Sequence, residues 1–128
     1  MTVRIAVATK DRIVVTDHFG HCNKFSILEV EDAKYGFIEY RNVRPPCNGG
    51  EHTVEAIYDV IEQIKDCQFV LVNQIGRGAL QILKEKQIKV LEYKGLVTDA
   101  LITHSTEIKV QLRNVNSLLQ KNLIFLLN

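Results

Sequence analysis

The sequence predicts an α/β domain: a mixed sheet with helices packed on its faces. The first forty residues are β-rich runs, whereas from about residue 54 helical spacing alternates with continuous apolar runs, the order expected of strands followed by βαβα units. The length of 128 residues and a hydrophobic fraction of 46% fit one globular domain with a sizeable core. We observe no internal repeat and no low-complexity segment.

Val3–Ala8 reads as a first strand with large residues alternating to one face, and Lys10-Asp11-Arg12 as a turn into a short extended arm, Ile13–Val15. Phe25–Val30 and Tyr35–Tyr40 form a hairpin signal across Glu31–Lys34, and Pro45-Pro46 stop the second run because proline offers no N–H to a ladder. Val54, Ile57, Ile61 and Ile64 recur at helical spacing, with the helix expected to start near Glu51 or His52. Phe69–Val72 reads as a buried parallel strand. Gly76-Arg77-Gly78 opens a short helix, Ile88–Leu91 is the next strand, and Gly95 leads into a helix near Thr98 or Asp99. Leu101, His104, Ile108, Leu112, Val115 and Leu119 keep helical spacing, as one long helix or two in series. The chain divides at residues 1–109, the domain, and 110–128, a C-terminal helical extension packed on the same domain or at a dimer contact.

Charge and composition exclude several functions. A net charge of +1 provides no general field for nucleic acid or an anionic membrane. No apolar stretch approaches the ~20 residues that cross a bilayer. Three cysteines are an odd count and nothing at the N-terminus resembles a secretory signal, so a reducing cytoplasm is the expectation. The chain lacks a Gly-x-x-x-x-Gly-Lys loop and a Gly-x-Ser-x-Gly elbow, and its first strand carries no acid to anchor a two-metal nuclease. An enzyme is not the natural reading.

Chemistry concentrates in two glycine-containing stretches, His18-Phe19-Gly20-His21-Cys22 and Cys47-Asn48-Gly49-Gly50-Glu51-His52. Together they hold three of the four histidines and two of the three cysteines. Thiolate and imidazole suit soft and borderline metals. His18 and His21, three apart, can converge in a turn, whereas adjacent His21 and Cys22 point different ways in an extended chain. Phe19 is more often a core anchor than a cofactor contact. Cys47 lies between prolines and glycines, near the positive end of the helix expected to follow. His52 is a weaker ligand candidate. The competing reading is two surface loops whose Cys and His never meet. Cys67 is expected to pack as a small hydrophobe, His104 to be structural, and Gly76-x-Gly78 to offer at most a weak anion site.

Strand Ile5–Thr9, His18-Phe19-Gly20-His21, Cys47-x-Gly-Gly and the Gly76 loop, in that order, resemble the dinitrogenase iron–molybdenum cofactor biosynthesis family, which includes NifX-like proteins and the C-terminal domain of NifB-type proteins. The resemblance implies a ribonuclease H-like motif with a mixed sheet of about five strands flanked by helices, without nuclease chemistry. It implies non-catalytic binding, carriage or protection of an iron–sulfur or iron–molybdenum type metallocluster or its precursor. Carried over by position, it implies His18 and then Cys47 as the first ligands, with His21, Cys22 and His52 assisting, and Phe19, Gly20, Gly49, Gly50, Gly76 and Arg77 lining the cargo. Arg41, Arg44, Arg77 and Lys24 are candidates to balance an anionic cluster. Donor and acceptor proteins of cluster assembly are the implied partners, with a homodimer possible. The alternative is an interaction or regulatory module of the same fold that binds no metal.

Overall fold

The computed structural model describes residues 2–32, 34–48 and 51–114, with the backbone alone for Asn48, Glu51 and His52. Its centre is a mixed five-stranded sheet. Strand β1 (Val3–Val7) pairs antiparallel with β2 (Lys24–Glu31), which pairs antiparallel with β3 (Lys34–Asn42). A two-stranded ribbon, β4 (Cys47–Asn48) and β5 (Glu51–His52), follows. Helix α1 (Val54–Ile64) leads to β6 (Phe69–Val72), and α2 (Arg77–Glu85) leads to β7 (Lys89–Glu92). Both β6 and β7 are parallel to β1, and the sheet order is β3-β2-β1-β6-β7.

The central strands β1 and β6 are buried on both faces because helices cover both. Ala6, Ala8, Ile27, Val70 and Val72 pack with Ile57, Val60, Ile61 and Ile64 of α1 and Leu83 of α2. The alternate residues, Val3, Ile5, Val7, Phe69 and Leu71, pack with Val97 and Ala100 of α3 (Val97–Thr103) and with Ile108 and Leu112. Burying each such side chain contributes about 1.5–3 kcal/mol. Period-two alternation on β1 therefore feeds two cores, not one buried face and one wet face.

One expectation is corrected, and one that stood between two alternatives is resolved. Glu51 and His52 are not the first turn of α1. They form β5, and the helix begins at Val54, because Thr53 is extended and its Oγ1 accepts the Ala56 N–H at 3.1 Å. The long C-terminal helix is two in series, with a break at His104, whose ring bonds Glu107 Oε2 at 3.0 Å and the Glu92 carbonyl at 3.2 Å. The second of these helices, residues 105–114, runs without interruption across the expected 109/110 boundary, and Leu112 lies in the core. The remainder of the expected extension, residues 115–128, lies outside the described residues. Among the described residues no helix is long and apolar enough to cross a membrane.

Candidate functional site

The two sequence stretches meet at one end of the sheet. Strand β1 ends at Val7, and the chain returns through Thr16 and Asp17, whose N–H groups donate to the Ala8 carbonyl at 3.1 and 3.2 Å. Residues Phe19–His21 make one 3-10 turn. Main-chain bonds tie this loop to the end of β6: Phe19 N–H donates to Gln74 O at 2.9 Å, and Asn73 N–H donates to Asp17 O at 3.0 Å. Asn73 Nδ2 adds a bond to Val15 O at 3.2 Å. The loop thus sits at the carboxyl ends of β1 and β6, where the chain order departs from β1 to opposite sides of the sheet. That is the switch point at which open α/β sheets form ligand crevices.

A cavity of about 130 Å³ lies here, lined by His18, Gly20, His21, Cys47, Gln74, Ile75 and Gly76. The His18 and His21 rings are 6.2 Å apart between centroids, and both side chains are exposed. Cys47 is half-buried, and its sulfur lies so close to Gly20 that a Cβ built there would stand 2.6 Å from Sγ. Glycine at position 20 is what lets the thiol reach the loop. Gly76 is the N-cap of α2 and, having no side chain, cannot cap it, so the N–H groups of the helix's first turn face this end of the molecule.

The other expected site residues separate. Phe19 is 1% exposed and packs 6.4 Å from the Phe25 ring, as a core anchor. Cys22, at 0% exposure, is also turned into the core, where its thiol donates to Lys24 O at 3.2 Å and burial pushes its pKa up to about 12. It does not line the cavity. Arg77 is exposed on the first turn of α2 and is not part of the lining either. Gly49, Gly50 and the His52 side chain lie outside the described residues, although the His52 backbone pairs with Cys47. Among the proposed balancing cations, Arg41 is engaged elsewhere, held by Asp66 and Glu39, and the Lys24 ammonium stands 4.1 Å above the Tyr40 ring. Gln74 and Ile75 line the cavity without having been singled out in the sequence. Among the described residues, no group of three or more His, Cys, Asp or Glu side chains is gathered closely enough to hold a metal ion.

Fold and site together define an open-sheet α/β domain with one thiol and two imidazoles bordering a cavity at its switch point. The family profile described as dinitrogenase iron-molybdenum cofactor matches residues 1–106, and the chain belongs to that family. It is similar to the FeMo cofactor biosynthesis protein NifB of Frankia alni, 34% identical over 102 residues, covering 77% of this chain and 20% of the relative. The NifB of Herbaspirillum seropedicae is 42% identical over 76 residues, covering 59% of this chain and 14% of the relative. The chain therefore spans about a fifth or less of the length of these relatives. A crystal structure from Methanocaldococcus jannaschii, described provisionally as a dinitrogenase, shares the fold with a TM-score of 0.53 at 12% identity, covering 84% of this chain and 90% of that one. An NMR structure from Thermotoga, described provisionally as a NifB protein, aligns with a TM-score of 0.52 at 24% identity, covering 82% and 88%.

Proposed function

We propose that this protein binds and carries an iron–sulfur or iron–molybdenum type cluster, or a precursor of one, in the cavity between His18, His21 and Cys47, with no turnover of its own. The observation that carries the reading is the meeting of Cys47 with the His18 loop in one solvent-open cavity. The donors are a thiol and two imidazoles, with no carboxylate in the lining, a set suited to soft and borderline metals. Membership of a family described by the iron-molybdenum cofactor supports the same cargo class. Few protein ligands suit a carrier, because an open site releases what a closed four-ligand site retains. The N-terminal end of α2 favours an anionic cargo. The strand order, with β2 alone antiparallel to β1, β3, β6 and β7, supports a ribonuclease H-like motif, here without nuclease chemistry. The setting we propose is cytoplasmic, with donor and acceptor proteins of cluster assembly as partners.

Anaerobic reconstitution with iron and sulfide tests this directly. The parent should load with a visible charge-transfer band, and His18→Ala and Cys47→Ala should each weaken loading by about 10-fold or more, at least what losing an outer-shell partner costs. Cys67→Ala should load normally, since Cys67 is buried away from the cavity. Loading that survives the His18 and Cys47 changes would place the site elsewhere. A parent that never loads would favour the metal-free interaction module.

A further inference from the structure

The sheet face that carries α3 is only partly covered. Helix α3 and residues 105–114 lie over β1, β6 and β7, while β3 on the same face is exposed along its whole length. Tyr35, Phe37 and Tyr40 share that face, being paired with Val30, Leu28 and Ser26, and each is more than a third exposed. The Arg12 guanidinium, 4.2 Å from the Phe37 centroid, and the Lys24 ammonium cap the upper two rings. Among the described residues no cation caps Tyr35. Beside it opens a groove of about 400 Å³, walled by Val30 and Tyr35 on one side and Leu101, Ile102 and Ile108 on the other. Ile102 is 71% exposed.

We propose that this groove is the docking site of the chain's own residues 115–128. That segment holds Leu118, Leu119, Leu123, Ile124, Phe125 and Leu126, with Lys121 its one charged side chain. So apolar a sequence costs free energy in water, and this groove, with apolar walls on both sides, lies within reach of its point of attachment. The tether fits. Ile108 is in the groove wall, and residue 114 is six residues further along the helix, about 9 Å at 1.5 Å per residue. The following segment of fourteen residues reaches about 46–50 Å when extended, ample to turn back. A tethered segment also acts at millimolar effective concentration, which outcompetes a second copy of the chain in dilute solution.

The chain contains no tryptophan, so Tyr35→Trp in the full chain places a single reporter on the groove. The expected result is blue-shifted emission shielded from acrylamide, unchanged on dilution, in a protein of monomer mass. Adding Leu123→Asp and Phe125→Asp should red-shift the emission and raise the quenching constant severalfold, with far-ultraviolet dichroism retained. Ile102→Asp, on an exposed wall position that the fold does not need, should do the same from the other side. Equal quenching with and without these changes would overturn the proposal. Shielding that disappears on dilution together with a dimer mass would overturn it in favour of a second copy.

Discussion

Gly20 contributes a hydrogen where any other residue would place a carbon in contact with the Cys47 sulfur. With the built Cβ at 2.6 Å from Sγ and 3.4 Å from the Cys47 Cβ, Gly20→Ala must displace either the turn or the thiol. The expected cost is about 1–3 kcal/mol in chemical denaturation, the range of small overpacking changes. Cys47→Ala in the same chain removes the clashing sulfur, so a double-mutant cycle should show part of that loss recovered, a coupling of about 0.5–3 kcal/mol. Strictly additive effects would mean that the two residues do not touch. The pairing of these stretches was legible in the sequence, because both flank a hairpin of similar strand lengths. The inward turn of Cys22 was not, since spacing alone does not say which way a residue leaves a 3-10 turn.

At the level of elements, α1 depends on its start. Thr53 caps the helix by accepting from Ala56 N–H. Thr53→Ala should lower stability by about 1 kcal/mol, read as a shift in urea midpoint, while Thr53→Ser should retain most of it. A Thr53→Ala midpoint equal to the parent's would remove the cap from the account. The helix itself was plain from Ile57, Ile61 and Ile64, all buried as the spacing requires. Its start was misplaced because Gly49-Gly50 drew it forward, and a two-residue strand such as β5 has no periodicity to read. Gln74 and Ile75 carry no ligand chemistry. The signal that could have found them is positional: they follow directly on the apolar run Phe69–Val72, at the carboxyl end of a central strand.

For the whole molecule, Asp66 joins the end of α1 to both β1 and β3. Its carboxylate accepts from Arg41 Nη2 at 2.9 Å and Arg4 Nη1 at 2.8 Å. Arg41 chiefly, against the opposing effect of partial burial and with help from Arg4, holds the Asp66 carboxyl well below its ordinary pKa of 3.8. A carboxyl depressed by folding stabilises the native state above the unfolded pKa, and that stabilisation is lost as pH falls through the folded value. Asp66 is partly exposed, so solvent screening keeps the contribution near about 1 kcal/mol. Urea titrations should show Asp66→Asn less stable than the parent at pH 7 and the gap clearly narrowed by pH 2, below the ordinary carboxyl pKa. A gap of equal size at both would mean that Asp66 acts through packing and not through charge. This network was not read from the sequence, where Arg4, Arg41 and Asp66 lie far apart and resemble ordinary surface charges.

Most of the bonds that hold the cavity's rim are main-chain ones: Phe19 N–H to Gln74 O, Asn73 N–H to Asp17 O, His21 N–H to His18 O. Because peptide groups are the same whatever side chain they carry, the shape of the cradle is separable from the donors displayed on it. Exposed positions such as His18, His21 and Gln74 can be exchanged without rewriting the instructions that build the rim, while Gly20 and the buried Phe19 cannot. A lineage using this scaffold is free to retune what it holds by single substitutions, each tried on a cradle that is already standing.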